Sequence, residues 1–174
     1  MSLGYRALAL VTTPPDMADL VQLADASLTR VRDDLGETSH FATLDGSEIL
    51  YLASRYSDHA LDVRHPVGRR LPAQLTALGK AMLATLEEDA LATAMPTQYP
   101  TPTDTSIPDE PTLRTHLADV RARGYADDRG ESTVGVFLFG GCRRPPRSAA
   151  MRVELLGARR ANGRGPGPDD RAAS

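Results

Sequence analysis

The sequence holds one cysteine, Cys142, and no tryptophan, and only 5% of its 174 residues are aromatic. A lone thiol excludes an internal disulfide and suits a reducing compartment. So few rings leave little with which to stack nucleic-acid bases. The longest apolar runs, such as Ala7-Leu8-Ala9-Leu10-Val11, span five residues, against the roughly 20 that a membrane helix needs. No basic start with an apolar stretch and a small-residue cleavage site is present, so secretion is not expected. Lysine is nearly missing too: of 20 basic residues 19 are arginine, and Lys80 stands alone. The net charge of −3 gives no general attraction to nucleic acid or anionic lipid. It is also unevenly laid. Residues 143–174 carry eight arginines against three acids, an excess of +5, which leaves −8 on residues 1–142. These absences predict a cytoplasmic domain that touches no membrane.

Catalytic signatures are missing as well. The chain has no HExxH, CxxC, GxSxG, Walker lysine loop or EF-hand run. Gly163-Arg164-Gly165-Pro166-Gly167 has neither a strand before it nor a helix after it, so it is not a phosphate loop. His40, His59, His65 and His116 fall on four different expected elements, so neither a metal site nor a cofactor is expected. Nothing near Cys142 marks it as a nucleophile.

What remains has the balance of one globular domain, 41% hydrophobic and 25% charged. Met17, Leu20, Val21, Ala24, Leu28, Val31 and Leu35 recur every three or four residues, predicting an amphipathic helix that Asp16 caps and Gly36 ends. Residues 38–44 and 47–54 read as strands joined by an Asp45-Gly46 hairpin turn. Leu61, Val63 and His65 alternate with charged residues, as a third strand would. A helix is expected over 73–86, interrupted only by Gly79, and a short one from Glu87. Residues 95–108 are a Pro- and Thr-rich loop. Asp109 and Pro111 start a further helix that Gly124 stops. Tyr125 leads towards a strand at 134–139, and Met151, Val153 and Leu155 suggest a last strand. From Gly157 onward the composition predicts disorder. Hairpin strands interleaved with helices, without βαβ alternation, define an α+β fold with an antiparallel sheet.

Gly79 inside a helix suggests that a backbone or ligand must come close, helix packing being the plainer cause. The head of the 73–86 helix offers free N–H groups to a small carboxylate. Lys80 reads as a solvated charge or a surface ion pair.

Four stretches occur in order from about Asp16 to Val136: Gly36-Glu37-Thr38-Ser39-His40, then Leu44-Asp45-Gly46-Ser47-Glu48-Ile49-Leu50-Tyr51-Leu52. The third runs from Gly68-Arg69-Arg70-Leu71-Pro72 through Thr76-Ala77-Leu78-Gly79-Lys80-Ala81. The fourth is Gly124-Tyr125-Ala126-Asp127-Asp128 with Glu131 and Gly135-Val136 after it. Together they resemble the effector-binding domain of IclR-family bacterial transcription regulators. The resemblance implies a GAF-like antiparallel sheet with helices packed on it. It also implies a pocket for a small organic acid or aromatic catabolite, lined by Ala77, Leu78 and Asp128. Where the family has a cysteine this chain has Leu138, and where it has two serines on the last strand it has Arg152 and Glu154. Either Arg152 and Glu154 rewire the pocket, Arg152 offering a fork to an anion, or the tail has left the family's register and both face solvent.

On this reading residues 1–15 are the remnant of a linker, 16–156 the effector-binding domain and 157–174 a basic tail. The family's winged helix-turn-helix is not expected in the chain, so it should not bind DNA alone. Its expected partners are a small effector and further copies of itself, as homodimer or tetramer. The alternatives are a small enzyme using Asp128 with His40 or His65, and an oligomerisation module whose pocket is vestigial.

Overall fold

The computed structural model describes residues 15–59 and 64–141, and the backbone of 158–160. Helix α1 (Pro15–Leu35) leads into strands β1 (Ser39–Asp45), β2 (Glu48–Arg55) and β3 (Arg70–Pro72). A 3-10 turn (Ala73–Leu75) then enters α2 (Ala77–Ala84), followed by α3 (Glu88–Ala94) and α4 (Glu110–Arg123). Strands β4 (Tyr125–Arg129), β5 (Val136–Gly141) and β6 (Ala158–Arg160) complete the order. Among the described residues all neighbouring strands are antiparallel, in two three-stranded sheets ordered β1-β2-β3 and β4-β5-β6. The α+β architecture thus agrees with the sequence pattern.

Several elements differ from that pattern. The third strand of the first sheet is Arg70–Pro72, paired with residues 48–50 of β2. It carries no alternation to announce it, while 60–63 of the expected strand lie outside the described residues and His65 is not in a strand. Residues 125–129 form a strand in their own right, with the consecutive acids Asp127 and Asp128 both buried. Ala158–Arg160 pairs with β5, inside the stretch expected to lack structure. The expected last strand near 151–155, with Arg152 and Glu154, lies outside the described residues, as do Cys142 and 1–14.

The expected helix over 73–86 is broken at Thr76, whose backbone is extended (φ −129°, ψ 145°) and whose hydroxyl accepts the Gly79 N–H at 2.9 Å. That side chain therefore starts a new helix rather than continuing the turn. Thr76→Ala should lower stability by about 1–2 kcal/mol while Thr76→Ser keeps most of it, as read by urea unfolding. Gly79 explains the fold-back. A Cβ there would lie 2.2 Å from the carbonyl oxygen of Ala73 and 2.4 Å from its Cα. The close approach is thus by backbone, the 3-10 turn lying across α2.

Two cores flank the first sheet. Ala24 and Leu28 of α1 pack on Phe41 and Ala53, and Ser39 Oγ donates to the Leu28 carbonyl at 2.8 Å. On the other side Ala42, Ile49 and Tyr51 join α2, Leu113, Leu117 and Val120 of α4, Ala126 and Leu138. A bulge lets one strand serve both. Phe41 pairs with Ala53 and Ala42 with Tyr51, so Leu52 is an extra residue with no partner. Beyond it the alternation of β2 is offset by one. Ala53 thereby joins the α1 core, and Ser54 joins His40 on the other side.

Helix α4 follows its sequence signals closely. Asp109 accepts the Thr112 N–H at 2.8 Å, and Gly124 stops the helix in the left-handed region (φ 80°). No helix among the described residues is long and apolar enough to cross a membrane.

Candidate functional site

The head of α2 is pressed against β5. A Cβ on Gly140 would stand 2.8 Å from the carbonyl carbon of Ala77 and 3.0 Å from the Leu78 nitrogen. Leu138, two residues earlier on the same face, is directly opposite Asp128, and Gly140 is opposite Ala126. Ala77, Leu78 and Asp128 are wholly buried and Leu138 nearly so. Four of the six residues expected to line a site are therefore brought to one interior face. The other two, Arg152 and Glu154, lie outside the described residues. The first turn of α2 presents the N–H groups of Ala77 and Leu78, which a helix cannot bond internally.

Asp128 is held by its own turn. One carboxylate oxygen accepts the Glu131 N–H at 2.7 Å and the other the Ser132 hydroxyl at 3.3 Å. Burial raises its pKa, against the opposing pull of these bonds and of Lys80. Glu131 in turn forms an ion pair with Lys80 in the interior, each side chain no more than 6% exposed. Burial also raises the pKa of Glu131, with Lys80 acting the other way. The Glu131 carbonyl accepts from Ser106 Oγ at 2.8 Å and from Thr103 Oγ1 at 3.3 Å. Lys80 is thus not the solvated charge that its helix position suggested. Its partner lies 51 residues away, at a spacing no local pattern reveals.

A second polar group on this side joins His40 and His65, which the enzyme alternative named, to Tyr51, which no sequence signal singled out. The rings of Tyr51 and His65 lie 4.7 Å apart, and His40 is 5.2 Å from the first and 5.3 Å from the second. Ser54 Oγ donates to the His65 carbonyl at 3.1 Å, as does the Tyr56 hydroxyl. Having spent its proton there, Ser54 accepts from His40 Nδ1 at 2.8 Å, which fixes the proton on that nitrogen. Burial, His40 and Arg69 push the His65 pKa down to about 4. Burial pushes the Tyr51 hydroxyl up, Arg69 opposing and Asp128 adding to it.

A His65 that protonates less readily folded than unfolded makes acid destabilising. Stability is full above the unfolded value of 6.5 and falls as pH drops from there towards about 4. The total loss should reach about 3 kcal/mol. Melting curves across that range should show the slope, and His65→Phe should flatten it; an unchanged slope would assign the loss to other groups.

The Asp128 carboxylate is taken up by the Glu131 N–H and the Ser132 hydroxyl rather than by either histidine. Among the described residues no group of three or more His, Cys, Asp or Glu is placed to hold a metal. A surface groove of about 700 Å³ lies at the far end of α2, against α4, and is lined by Ala84, Glu87, Val120 and Arg121 among others. It includes none of the expected site residues.

Comparison with known proteins identifies the family and the fold. The family model described as bacterial transcriptional regulator IclR C-terminal matches residues 15–140. The transcriptional regulator XynR of Escherichia coli K12 is 35% identical over 119 residues, 68% of this chain and 47% of that protein. The chain spans about half the length of the curated relatives it matches. The crystal structure of the C-terminal domain of E. coli KdgR superposes with a TM-score of 0.72 at 26% identity, covering 82% of each chain. An IclR homologue from Microbacterium hydrocarbonoxydans, complexed with 4-hydroxybenzoate, gives 0.78 at 21% identity, covering 94% of this chain and 67% of that one. The fold is that of the GAF-like C-terminal domain of bacterial transcription regulators. The chain belongs to the IclR family, a family of regulators rather than enzymes.

Proposed function

We propose that this domain binds a small organic acid and reports its presence to the DNA-reading part of a transcription regulator. The observation that carries this reading is the convergence of Ala77, Leu78, Asp128 and Leu138 on one buried face at the head of α2. The first-turn N–H groups of that buried helix end, which the helix cannot bond internally, suit a carboxylate, and the partial charge of the helix dipole favours it. Asp128, its pKa raised by burial, suits a neutral polar part of the ligand better than its anionic end. The 4-hydroxybenzoate complex of the Microbacterium homologue supports a ligand of this class. Arg152 and Glu154 are proposed to close the same site.

An effector changes DNA binding only by favouring one of two arrangements of the regulator. The arrangement proposed here is the spacing of DNA-binding parts across a homodimer or tetramer. Calorimetric titration with a panel of aliphatic and aromatic acids tests the site. At least one acid should bind, and Asp128→Asn should weaken it about tenfold or more. A panel without a binder, or undiminished binding by the variant, removes the reading.

A further inference from the structure

Three side chains on the interior side of the first sheet and in the turn before α2 carry polar atoms with no hydrogen-bond partner among the described residues. These are the Tyr51 hydroxyl, Nδ1 of His65 and both amide atoms of Gln74. Tyr51 and Gln74 are wholly buried and His65 is 6% exposed. Unpaired interior donors and acceptors are unfavourable and uncommon in folded proteins. Tyr51 also shares one core with Ala77, Leu78 and Leu138, His65 lies against its ring, and Gln74 stands in the turn that enters α2.

The chemistry of these atoms is selective. Each side chain is neutral, and a hydroxyl, an imidazole and an amide together both donate and accept. The interior ammonium of Lys80 is already taken by Glu131. A carboxylate buried against this group would meet, among the described residues, no uncommitted interior cation, only the exposed Arg69 acting on both rings from the surface, and burying it there is costly. A hydroxyl, itself one donor and two acceptors, matches instead. We propose that Tyr51, His65 and Gln74 form the specificity wall of the effector site, selecting a small carboxylic acid that bears a hydroxyl over the same acid without it. This rests on the effector-binding reading above and adds which end of the ligand meets which wall: carboxylate at the head of α2, hydroxyl on Tyr51, His65 and Gln74.

Matched probes test it: 4-hydroxybenzoate against benzoate, and lactate against propionate, titrated into the parent chain and Tyr51→Phe. In at least one pair the hydroxylated acid should bind the parent about tenfold tighter. Tyr51→Phe should bring that ratio close to one. Without ligand, the same variant should melt about 2 °C or more above the parent, because it removes a buried hydroxyl that nothing satisfies. Pairs that bind equally overturn the wall while leaving effector binding intact. A Tyr51→Phe melting temperature below the parent's overturns it whether or not any probe binds, since the hydroxyl would then have a structural partner. Failure of every probe on both proteins removes the effector reading itself, and the wall with it.

Discussion

Glu131→Gln is expected to lower the unfolding free energy by about 3–5 kcal/mol, the usual consequence of leaving one member of a buried ion pair without the other. Lys80 and Glu131 are both in the interior, so water cannot screen the orphaned ammonium as it would at the surface. For a chain of this size the melting temperature should fall by about 6–20 °C. The paired variant Lys80→Met with Glu131→Leu should recover most of the loss, because it removes both charges. Lys80→Met alone behaves differently. It strands a carboxylate whose pKa burial has already raised. Such a group is better tolerated protonated, so the deficit should be largest at neutral pH and shrink as pH falls through its folded-state pKa. Urea unfolding at neutral and mildly acid pH separates these cases. A Glu131→Gln protein within about 1 kcal/mol of the parent would show that Lys80 has found another acceptor, Asp128 being a candidate because it already feels the Lys80 charge.

Gly79→Ala should be the second severe substitution. Alanine improves helix propensity by about 1 kcal/mol, so on local grounds the change would stabilise α2. The tertiary contact reverses the sign. The added methyl would stand 2.2 Å from the Ala73 oxygen, 2.4 Å from its Cα and 2.6 Å from its carbonyl carbon, all of them backbone. No rotamer change relieves a clash with backbone. The turn would have to move, and it is tied to the first sheet by the Ala73 N–H donating to the Ser47 carbonyl at 2.9 Å. A net loss of about 3 kcal/mol or more is expected, measured by chemical denaturation. Gly140→Ala meets the backbone of Ala77 at 2.8 Å and should lose less, with the same sign. A Gly79→Ala protein as stable as the parent would refute the close packing of turn on helix.

The elements that could be read from sequence are those whose signals are local. The Asp109 cap and the Gly124 stop delimit α4 because both act within one helical turn. Asp45-Gly46 marks the β1–β2 hairpin for the same reason. Strand β3 escaped because Arg-Leu-Pro has no alternation, and its pairing is decided by β2. Strand β4 escaped because Asp127 and Asp128 look like surface acids. Their burial depends on Arg123 and Arg129 for the first and on the turn at 130–132 for the second. The family's pocket positions were legible as a resemblance. The Lys80–Glu131 pair and the Tyr51–His65 contact were not, since each joins segments that only the folded chain brings together.

The unpaired Leu52 gives β2 a parity that must be preserved. Deleting that one residue would restore strict alternation and leave Ala53 on the α1 side and Ser54 beside His40, as the register pairs them now. A strand that kept Leu52 without the bulge would instead turn Ala53 towards Tyr51 and His40, and Ser54 towards the oily underside of α1. Flattening the bulge should therefore do more harm than removing the residue that makes it.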